Sequence, residues 1–340
     1  MNKKFLISAT IIGLLIVLCD AFLNIGKGPS LLFTLVYWIS IIEGCIALVA
    51  VCETAEGTWI KPIKSYLLSL YPLILFCSLL FIFMFTKMDY YPWTKHPGMW
   101  LNSNFFLIRN VVFLFIVFLV ARKYTQKSLS ESPKKIKWAI MYLFLYVISL
   151  SLVAFDWVMS LEYPWVSTLF GAYFFVQGLF TALAISGIIL YLLYRRSPAE
   201  FIVYKKLQHD ISTFMCGFAL LCTGFFFAQY LVIWYGHIPE ESSFFINRLS
   251  HHPIRELMML IIPMLFVVPF GSMMFKCLKK NACFVFLVSL NILIGLFIER
   301  WVIIGHLVPL NFFLIAIEFL GFGILFFLLM KSRQIYEKKE

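Results

Sequence analysis

Two stretches of the chain place carboxylates beside tryptophan and tyrosine. The first, DWVMSLEYPW, spans residues 156–165, and the second, QYLVIWYGHIPEE, spans residues 229–241. Both follow long apolar runs, where aromatic side chains typically lie at the membrane–water boundary. An acidic aromatic surface of this kind can dock a partner subunit, admit protons or only anchor helices. The candidate residues are Asp156, Trp157, Glu162, Trp165, Tyr230, Glu240 and Glu241.

Further candidates lie inside the apolar runs. An ionisable side chain in a membrane span costs about 2.5–3.5 kcal/mol on insertion scales, so such residues are functional candidates by default. Glu43, Arg109 and Glu318 are predicted to be the deepest charges, and Glu318 is expected near mid-membrane. Carboxyl groups there can exchange protons through water or amide side chains. The predicted path residues are Asp20, Glu43, Arg109, Asp156, Glu162, Gln229 and Glu318; a purely structural Arg109–carboxylate pair is the alternative.

Two pairs of adjacent opposite charges lie near the same face of the predicted membrane domain, Arg255-Glu256 and Glu299-Arg300. Long side chains near the end of a span can extend to the interface and keep their charges hydrated. We therefore predict ion pairs with a structural role at both positions.

The histidines and cysteines do not have the spacing of a cofactor site. Haem b needs histidines that face each other within the bilayer, but the histidines of this chain lie at the ends of apolar runs or in loops. The adjacent His251 and His252 lack a third metal ligand. The eight cysteines match neither haem-attachment nor iron–sulfur spacing, so we predict that they are small core residues. We predict that the chain binds neither haem nor metal.

The elements that carry these residues are predicted membrane spans. Hydrophobic residues make up 62% of the chain and charged residues 13%, whereas soluble domains are about 25% charged. Ten apolar runs reach the roughly 17–25 residues that a span requires. We predict one all-α membrane domain over residues 1–340, with spans at 4–24, 30–52, 66–86, 99–121, 136–155, 166–194, 210–235, 254–275, 281–299 and 309–330.

The formal charge of +11 reflects topology rather than nucleic-acid binding. Basic residues gather in alternate loops, above all between Arg122 and Lys137, whereas the opposite loops hold little beyond Lys27, Lys87, Lys95 and Arg248. The positive-inside rule then places both termini in the cytoplasm. Residues 156–171 become an external loop, with Trp157, Tyr163 and Trp165 at headgroup level.

Small residues predict where the helices pack most closely. Glycines allow two helix backbones to approach each other. We expect a packed centre between the sixth and seventh spans, which contain Gly171, Gly178, Gly187, Gly217 and Gly224.

The two acidic aromatic stretches also carry a family resemblance. DWVMSLE followed by WVSTLFG, a His-Asp pair before the seventh run and QYLVIWYGHIPEE at its end resemble the NrfD-like family of polysulfide reductase membrane subunits. Within it, the chain is similar to the two membrane subunits of alternative complex III, a quinol:cytochrome c or quinol:electron acceptor oxidoreductase, and most of all to the smaller, ActF-type subunit. The family's stretch usually reads E-P-H-W or D-P-H-W, whereas this chain has Glu162-Tyr163-Pro164-Trp165.

The resemblance implies a fold, a location and partners. The fold is two four-helix bundles, 30–155 and 166–302, flanked by the spans 4–24 and 309–330. The location is the bacterial inner membrane, beside a paralogous membrane subunit, an iron–sulfur protein and c-type cytochrome subunits that hold the iron–sulfur clusters and haem c. The chain itself carries no redox cofactor and supplies a proton path or part of the quinone environment. The matching positions are Asp156, Glu162, Gln229, Tyr230, Glu240 and Glu241.

Two other functions fit the residues. An independent proton- or ion-coupled transporter also uses mid-membrane carboxylates and commonly has Gly- or Pro-interrupted helices, as Pro263 and Pro269 interrupt the run at 254–275. A purely structural membrane anchor requires none of the buried carboxylates. In the respiratory hypothesis, catalysis belongs to the assembly rather than to this chain alone.

Overall fold

The computed structural model describes residues 3–23, 29–196 and 204–337, and within these ranges every regular element is helical. The helices are α1 (Lys3–Leu23), α2 (Ser30–Thr54), α3 (Lys61–Leu68), α4 (Pro72–Phe81), α5 (Ser103–Leu129), α6 (Lys135–Leu152), α7 (Leu169–Arg196), α8 (Lys205–Gly236), α9 (Pro239–Ser250), α10 (Ile254–Ile262), α11 (Val268–Met273), α12 (Lys276–Lys279), α13 (Ala282–Ile304) and α14 (Phe312–Glu337). The 3-10 segments Ile82–Tyr90 and Pro92–Lys95 follow α4. A π-helical turn, Val153–Val158, and a 3-10 turn, Met159–Glu162, extend α6, and a second π-helical turn, Pro263–Val267, joins α10 to α11.

The chain is an all-helical, multi-pass membrane protein. In the described ranges, nine helical segments are long and apolar enough to cross a membrane: Ser30–Thr54, Lys61–Tyr90, Ser103–Leu129, Lys135–Glu162, Leu169–Arg196, Lys205–Gly236, Ile254–Met273, Ala282–Ile304 and Phe312–Lys331. The predicted span 4–24 forms α1 over its described part but is not one of these nine, so the count of ten remains a prediction. Residue 24 and Lys27 lie outside the described residues.

The bundle has two chemically distinct ends. We call the end with residues 55–60, 130–134 and 274–281 the basic end, because Lys61, Lys64, Lys135 and Lys279 lie at or beside it. The end with residues 91–102, 163–168, 237–253 and 305–311 is the aromatic end. The charge distribution predicts that the basic end faces the cytoplasm, and this orientation remains a prediction.

Local sequence signals fix several helix ends. The Asn102 side chain accepts a hydrogen bond from the Asn104 backbone N–H (3.2 Å), and Asn281 caps α13 in the same way. Proline lies in the first turn of α3, α4 and α9, where its missing N–H costs nothing. The left-handed conformation of His237 ends α8 and lets the chain turn into α9.

The centre of the bundle is α2, which is buried on almost every side. It packs against α4, α6, α7 and α14. A Cβ atom on Gly44 would lie 2.0 Å from the Gly178 carbonyl oxygen, so the α2–α7 crossing accepts only glycine. The closest backbone approach is therefore between α2 and α7, while the predicted pair α7 and α8 also packs together over much of its length.

The five predicted packing glycines divide into two groups. Gly171, Gly178 and Gly187 lie against neighbouring helices so closely that an added Cβ would come within 3.0 Å of another atom. Gly217 and Gly224 have no heavy atom within 4 Å of that position among the described residues. Their face of α8 points away from the packed centre.

The cysteines are only partly core residues. Cys45, Cys52, Cys77 and Cys222 are buried, as predicted. Cys277 and Cys283 are exposed at the basic end, because they lie on α12 and on the first turn of α13, where the bundle ends.

Candidate functional site: the buried carboxylates

Glu43 lies deep in the bundle and has no charged partner. It is thirteen residues along α2 from Ser30, or about 20 Å at 1.5 Å per residue, past the middle of the span as predicted. The side chain is 0% exposed. Its Oε1 accepts a hydrogen bond from Ser149 Oγ (2.9 Å), while Oε2 has no hydrogen-bond partner within the described chain. The carboxyl group can therefore gain or lose a proton without breaking an ion pair.

Glu318 has the same kind of environment at a shallower depth. It is 1% exposed, the Thr34 hydroxyl donates to its Oε2, and its Oε1 has no partner in the described ranges. It lies six residues along α14 from Phe312, or about 9 Å. Glu318 is thus nearer the aromatic end than the predicted mid-membrane position. Thr34 precedes Glu43 by nine residues on α2, so about 13 Å along the helix separates the two carboxyl sites.

Asp156 and Arg109 form a buried ion pair. Asp156 accepts hydrogen bonds from Arg109 Nη2 (2.6 Å) and Nε (3.1 Å), from Asn110 Nδ2 (3.0 Å) and from Trp100 Nε1 (3.2 Å). Asp156 was predicted in an external loop, but it lies in the π-helical turn that extends α6 toward the aromatic end. Arg109 is only six residues, about 9 Å, from the start of α5, so it is shallower than predicted. The ion pair between Arg109 and Asp156 agrees with the alternative prediction of a purely structural Arg109–carboxylate pair.

The two tryptophans of the first stretch are core residues rather than headgroup anchors. Trp157 is 0% exposed, stacks on Phe81 with ring centroids 4.2 Å apart and donates to Asn110 Oδ1 (2.8 Å). Trp165 is buried and stacks on Phe244 at 4.3 Å. Tyr163 alone of the three predicted anchors is exposed, at 54%. The prediction failed because the helix continues to Glu162 and turns Trp157 into the bundle, while Trp165, in the following loop, packs against Phe244 of α9.

A second, largely buried ion pair joins the first acidic aromatic stretch to α9. Glu162 accepts hydrogen bonds from Arg248 Nη1 (3.1 Å) and Nη2 (2.7 Å), and Arg248 also donates to the carbonyl oxygens of Phe244 and Ile303. Arg248, predicted as a loop charge, is 1% exposed because residues 239–250 form α9. This helix was not predicted from the sequence, although Phe244, Phe245 and Arg248 have the spacing of one helical face.

The two predicted pairs of adjacent charges differ. Arg255 and Glu256 form an exposed pair (3.0 Å), as predicted. Glu299 and Arg300 are buried instead of reaching the interface. Glu299 accepts from the Tyr173 hydroxyl and from Gln177 Nε2 (2.7 Å), and Arg300 donates to Gln177 Oε1 (2.6 Å). The Gln177 side chain on α7 draws this pair into the bundle.

The other candidates are peripheral to these groups. Asp20 lies 3.9 Å from Lys87, and Gln229 accepts from the Ser167 hydroxyl. Tyr230 is exposed beside Phe245. Glu240 and Glu241 were expected at the end of α8 but lie in the first turn of α9. Negative charge there stabilises a helix N-terminus, which gives both residues a structural role.

A carboxylate cluster at the basic end was not predicted from the sequence. Glu53 accepts hydrogen bonds from Lys64 Nζ (2.9 Å), Tyr124 Oη (2.8 Å) and Ser128 Oγ (2.8 Å). Lys64 also contacts Glu131 (2.6 Å). Hydrogen bonds from Lys135 and Lys64 lower the pKa of Glu131, which lies in the α5–α6 loop, to about 2. The only sequence signal was a carboxylate at the end of one apolar run and a lysine at the start of the next.

The buried carboxylates therefore divide by their partners. Glu53, Asp156 and Glu299 each contact a lysine or arginine, as does the partly buried Glu162. Glu43 and Glu318 bond to hydroxyl groups and form no ion pair in the part of the chain that the structure describes. These two are the groups best suited to proton exchange.

Comparison with known proteins adds no relative to this picture. No protein-family model matches the chain, and no curated protein is significantly similar to it.

Proposed function

We propose that this chain is a multi-pass membrane subunit of a quinol-oxidising respiratory complex, without a redox cofactor of its own, and that Glu43 and Glu318 carry protons within it. The observation that carries the proposal is their environment: each is buried within a membrane span, bonded to a hydroxyl group and left with one oxygen free. A carboxylate retained at this cost without a balancing cation is expected to act in proton transfer.

A chain of polar groups leads from the basic end toward Glu43. Tyr124 donates to Glu53 at the basic end and stacks on Tyr142, with ring centroids 6.0 Å apart. Tyr142 donates to the Glu43 backbone carbonyl oxygen (3.0 Å). Glu53 is the second-last residue of α2 and lies at the basic end, so in this proposal protons are taken up at that end. The ring stack and the backbone carbonyl oxygen do not pass protons themselves, so bridging water is needed both between the tyrosine hydroxyls and the Glu43 carboxyl group and across the about 13 Å from Glu43 to Thr34 and Glu318.

The assembly part of the proposal rests on the resemblance of residues 156–165 and 229–241 to the NrfD-like family. In this proposal the basic end faces the cytoplasm of a bacterium, and the spans form two groups of four with α1 and α14 beside them. The aromatic end, with Tyr230 and Glu240 exposed on it, faces an iron–sulfur protein and c-type cytochrome subunits, and a paralogous membrane subunit lies alongside. Electrons pass from quinol to cytochrome c or another acceptor through the partners.

Purification from native membranes tests the assembly. The tagged chain is extracted in mild detergent, its partners are identified by mass spectrometry, and a dithionite-reduced minus oxidised spectrum of the eluate is recorded. We expect c-type haem bands and co-purified iron–sulfur subunits. A colourless protein that elutes alone would refute the respiratory assignment.

One observation favours a second candidate, a proton- or ion-coupled transporter. The span 254–273 is broken by the π-helical turn Pro263–Val267, and broken helices surround the central sites of many transporters. The Met264 carbonyl oxygen freed by this turn accepts from Asn291 Nδ2 (2.6 Å), which also explains the turn structurally. Solute-dependent proton flux by the isolated chain in liposomes would select the transporter.

A further inference from the structure

The junction of α5 and α6 at the basic end carries positive charge that the protein does not neutralise. Residues 122–137 contain six basic side chains and a single carboxylate, Glu131. Glu131 is already paired with Lys64 (2.6 Å) and with Lys135. The other five basic side chains are exposed and form no ion pair within the described residues: Arg122, Lys123, Lys127, Lys134 and Lys137. The junction is therefore complementary to an anion.

The cations of this junction continue the faces of α5 and α6 that point away from the bundle. On α5, the exposed Leu119 precedes Lys123 by four residues, so the two side chains share one face. On α6, the exposed Ile140 and Phe144 follow Lys137 by three and seven residues and share its face. Both helices belong to apolar spans. The apolar side chains therefore lie against acyl chains, and the lysines lie one or two turns nearer the headgroups.

A contact between Lys123 and Trp138 joins the two faces into one surface. The helices α5 and α6 pack against each other, and Lys123 Nζ lies 5.2 Å from the centroid of the Trp138 ring. Because Trp138 follows Lys137 in the chain, the lysines of the two helices lie at a similar depth. A tryptophan beside lysines at the end of a span is typical of headgroup level. We call Lys123, Lys137 and Trp138, with the apolar Leu119, Ile140 and Phe144, the α5–α6 surface.

We infer that the α5–α6 surface binds an anionic phospholipid. Lys123 and Lys137 hold the headgroup phosphate, and the acyl chains lie over the apolar side chains of the same two faces. Basic clusters between membrane helices bind anionic headgroups in this way. A free phosphate ion would use the cations alone, and an acidic protein would not reach the apolar faces inside the membrane, so the continuous basic and apolar surface favours a lipid over both. The inference does not rest on the proposed function, because it needs neither a redox partner nor a proton path.

Lipid titration of the purified full chain tests the site. The delipidated protein in a neutral detergent is titrated with phosphatidylglycerol or phosphatidylcholine, and native mass spectrometry counts the bound lipids. We expect saturable binding of phosphatidylglycerol, about 20- to 30-fold tighter than that of phosphatidylcholine, since each of two lysines near the membrane surface contributes about fivefold. A phosphatidylglycerol with a diazirine on its acyl chain should label residues 115–119 or 140–144. Equal affinity for the two lipids, or labels confined to other helices, would overturn the inference.

Matched double variants separate this surface from the general positive charge of the basic end. Lys123→Gln with Lys137→Gln removes two exposed charges that have no carboxylate partner, so the fold loses no ion pair. We expect the affinity for phosphatidylglycerol to fall about 20- to 30-fold, whereas arginine at both positions should retain it. Lys276→Gln with Lys280→Gln is the control, because these exposed lysines lie at the same end of the bundle but on and beside α12. Equal losses in the two glutamine variants would contradict a specific site.

Competition distinguishes a lipid from other anions. Glycerol 3-phosphate supplies the phosphate without acyl chains, and a polyglutamate peptide supplies the charge of an acidic protein. We expect neither compound to displace the diazirine lipid at physiological salt, whereas unlabelled phosphatidylglycerol should displace it fully. Complete displacement by glycerol 3-phosphate would assign the surface to free phosphate, and complete displacement by the peptide would assign it to an acidic protein; either result would overturn the inference. All of these measurements use the isolated chain, so their failure leaves the respiratory assignment untouched.

Discussion

The buried Asp156–Arg109 pair gives a stability prediction whose size follows from its contacts. Asp156→Leu leaves the Arg109 guanidinium, whose side chain is 10% exposed, without its carboxylate. Breaking one partner of a buried pair typically costs about 3–5 kcal/mol. Arg109→Met should cost less, because Asn110 and Trp100 still donate to the remaining carboxylate. The double variant removes both charges and should be more stable than Asp156→Leu alone.

Buried cysteines provide the assay for this cycle. The thiols of Cys45, Cys52, Cys77 and Cys222 become reactive only when the bundle opens, so a thiol-reactive dye reports unfolding in a detergent titration once the accessible thiols, including those of the exposed Cys277 and Cys283, have been blocked in the folded protein. The expected coupling between the two sites is about 1–3 kcal/mol. The exposed pair Arg255 and Glu256 is the control, since its removal should leave the midpoint unchanged. If the double variant were as unstable as the sum of the single variants, the two charges would not be coupled and the reasoning would be refuted.

Two further predictions use the same unfolding assay. Gly44→Ala should destabilise the protein by at least about 1–3 kcal/mol, because its Cβ would lie 2.0 Å from the Gly178 carbonyl oxygen. Gly217→Ala is the control: its Cβ would lie in open space, so the substitution should be neutral or stabilising by up to about 1 kcal/mol. Equal effects of the two substitutions would contradict the close α2–α7 crossing. The pKa of Glu131 is lowered from 4.5 to about 2 by Lys135 and Lys64, so its stabilisation is fully present above pH 4.5 and is lost as the pH falls toward 2. Glu131→Gln should therefore flatten this part of the pH–stability profile, and an unchanged profile would show that the cluster contributes nothing.

Sequence patterns predicted the spans well because hydrophobicity over about twenty residues is a local property. The depth of Glu43 followed from counting residues along one span. The ion-pair partners of the buried charges could not be predicted in the same way. Asp156 and Arg109 are 47 positions apart, and Glu162 and Arg248 are 86 positions apart, so only packing brings them together.

Element boundaries account for most of the errors near the aromatic end. The helix that carries Trp157 continues through a π-helical turn that no propensity signals, and this turn rotates the indole into the core. The twelve residues of α9 were too short and too polar to read as a span. Because Arg248 lies on the buried face of α9, missing this helix turned a buried cation into a predicted surface charge.

The most direct measurement is the number of protons taken up at the basic end per electron transferred, in the proposed respiratory complex reconstituted with this chain. We predict that Glu43→Gln lowers this number, whereas Glu43→Asp, which keeps a carboxyl group, largely retains it. Glu256→Gln, an exposed change far from α2, should leave it unaltered. A correctly assembled Glu43→Gln complex with the wild-type proton count would contradict the claim that Glu43 carries protons.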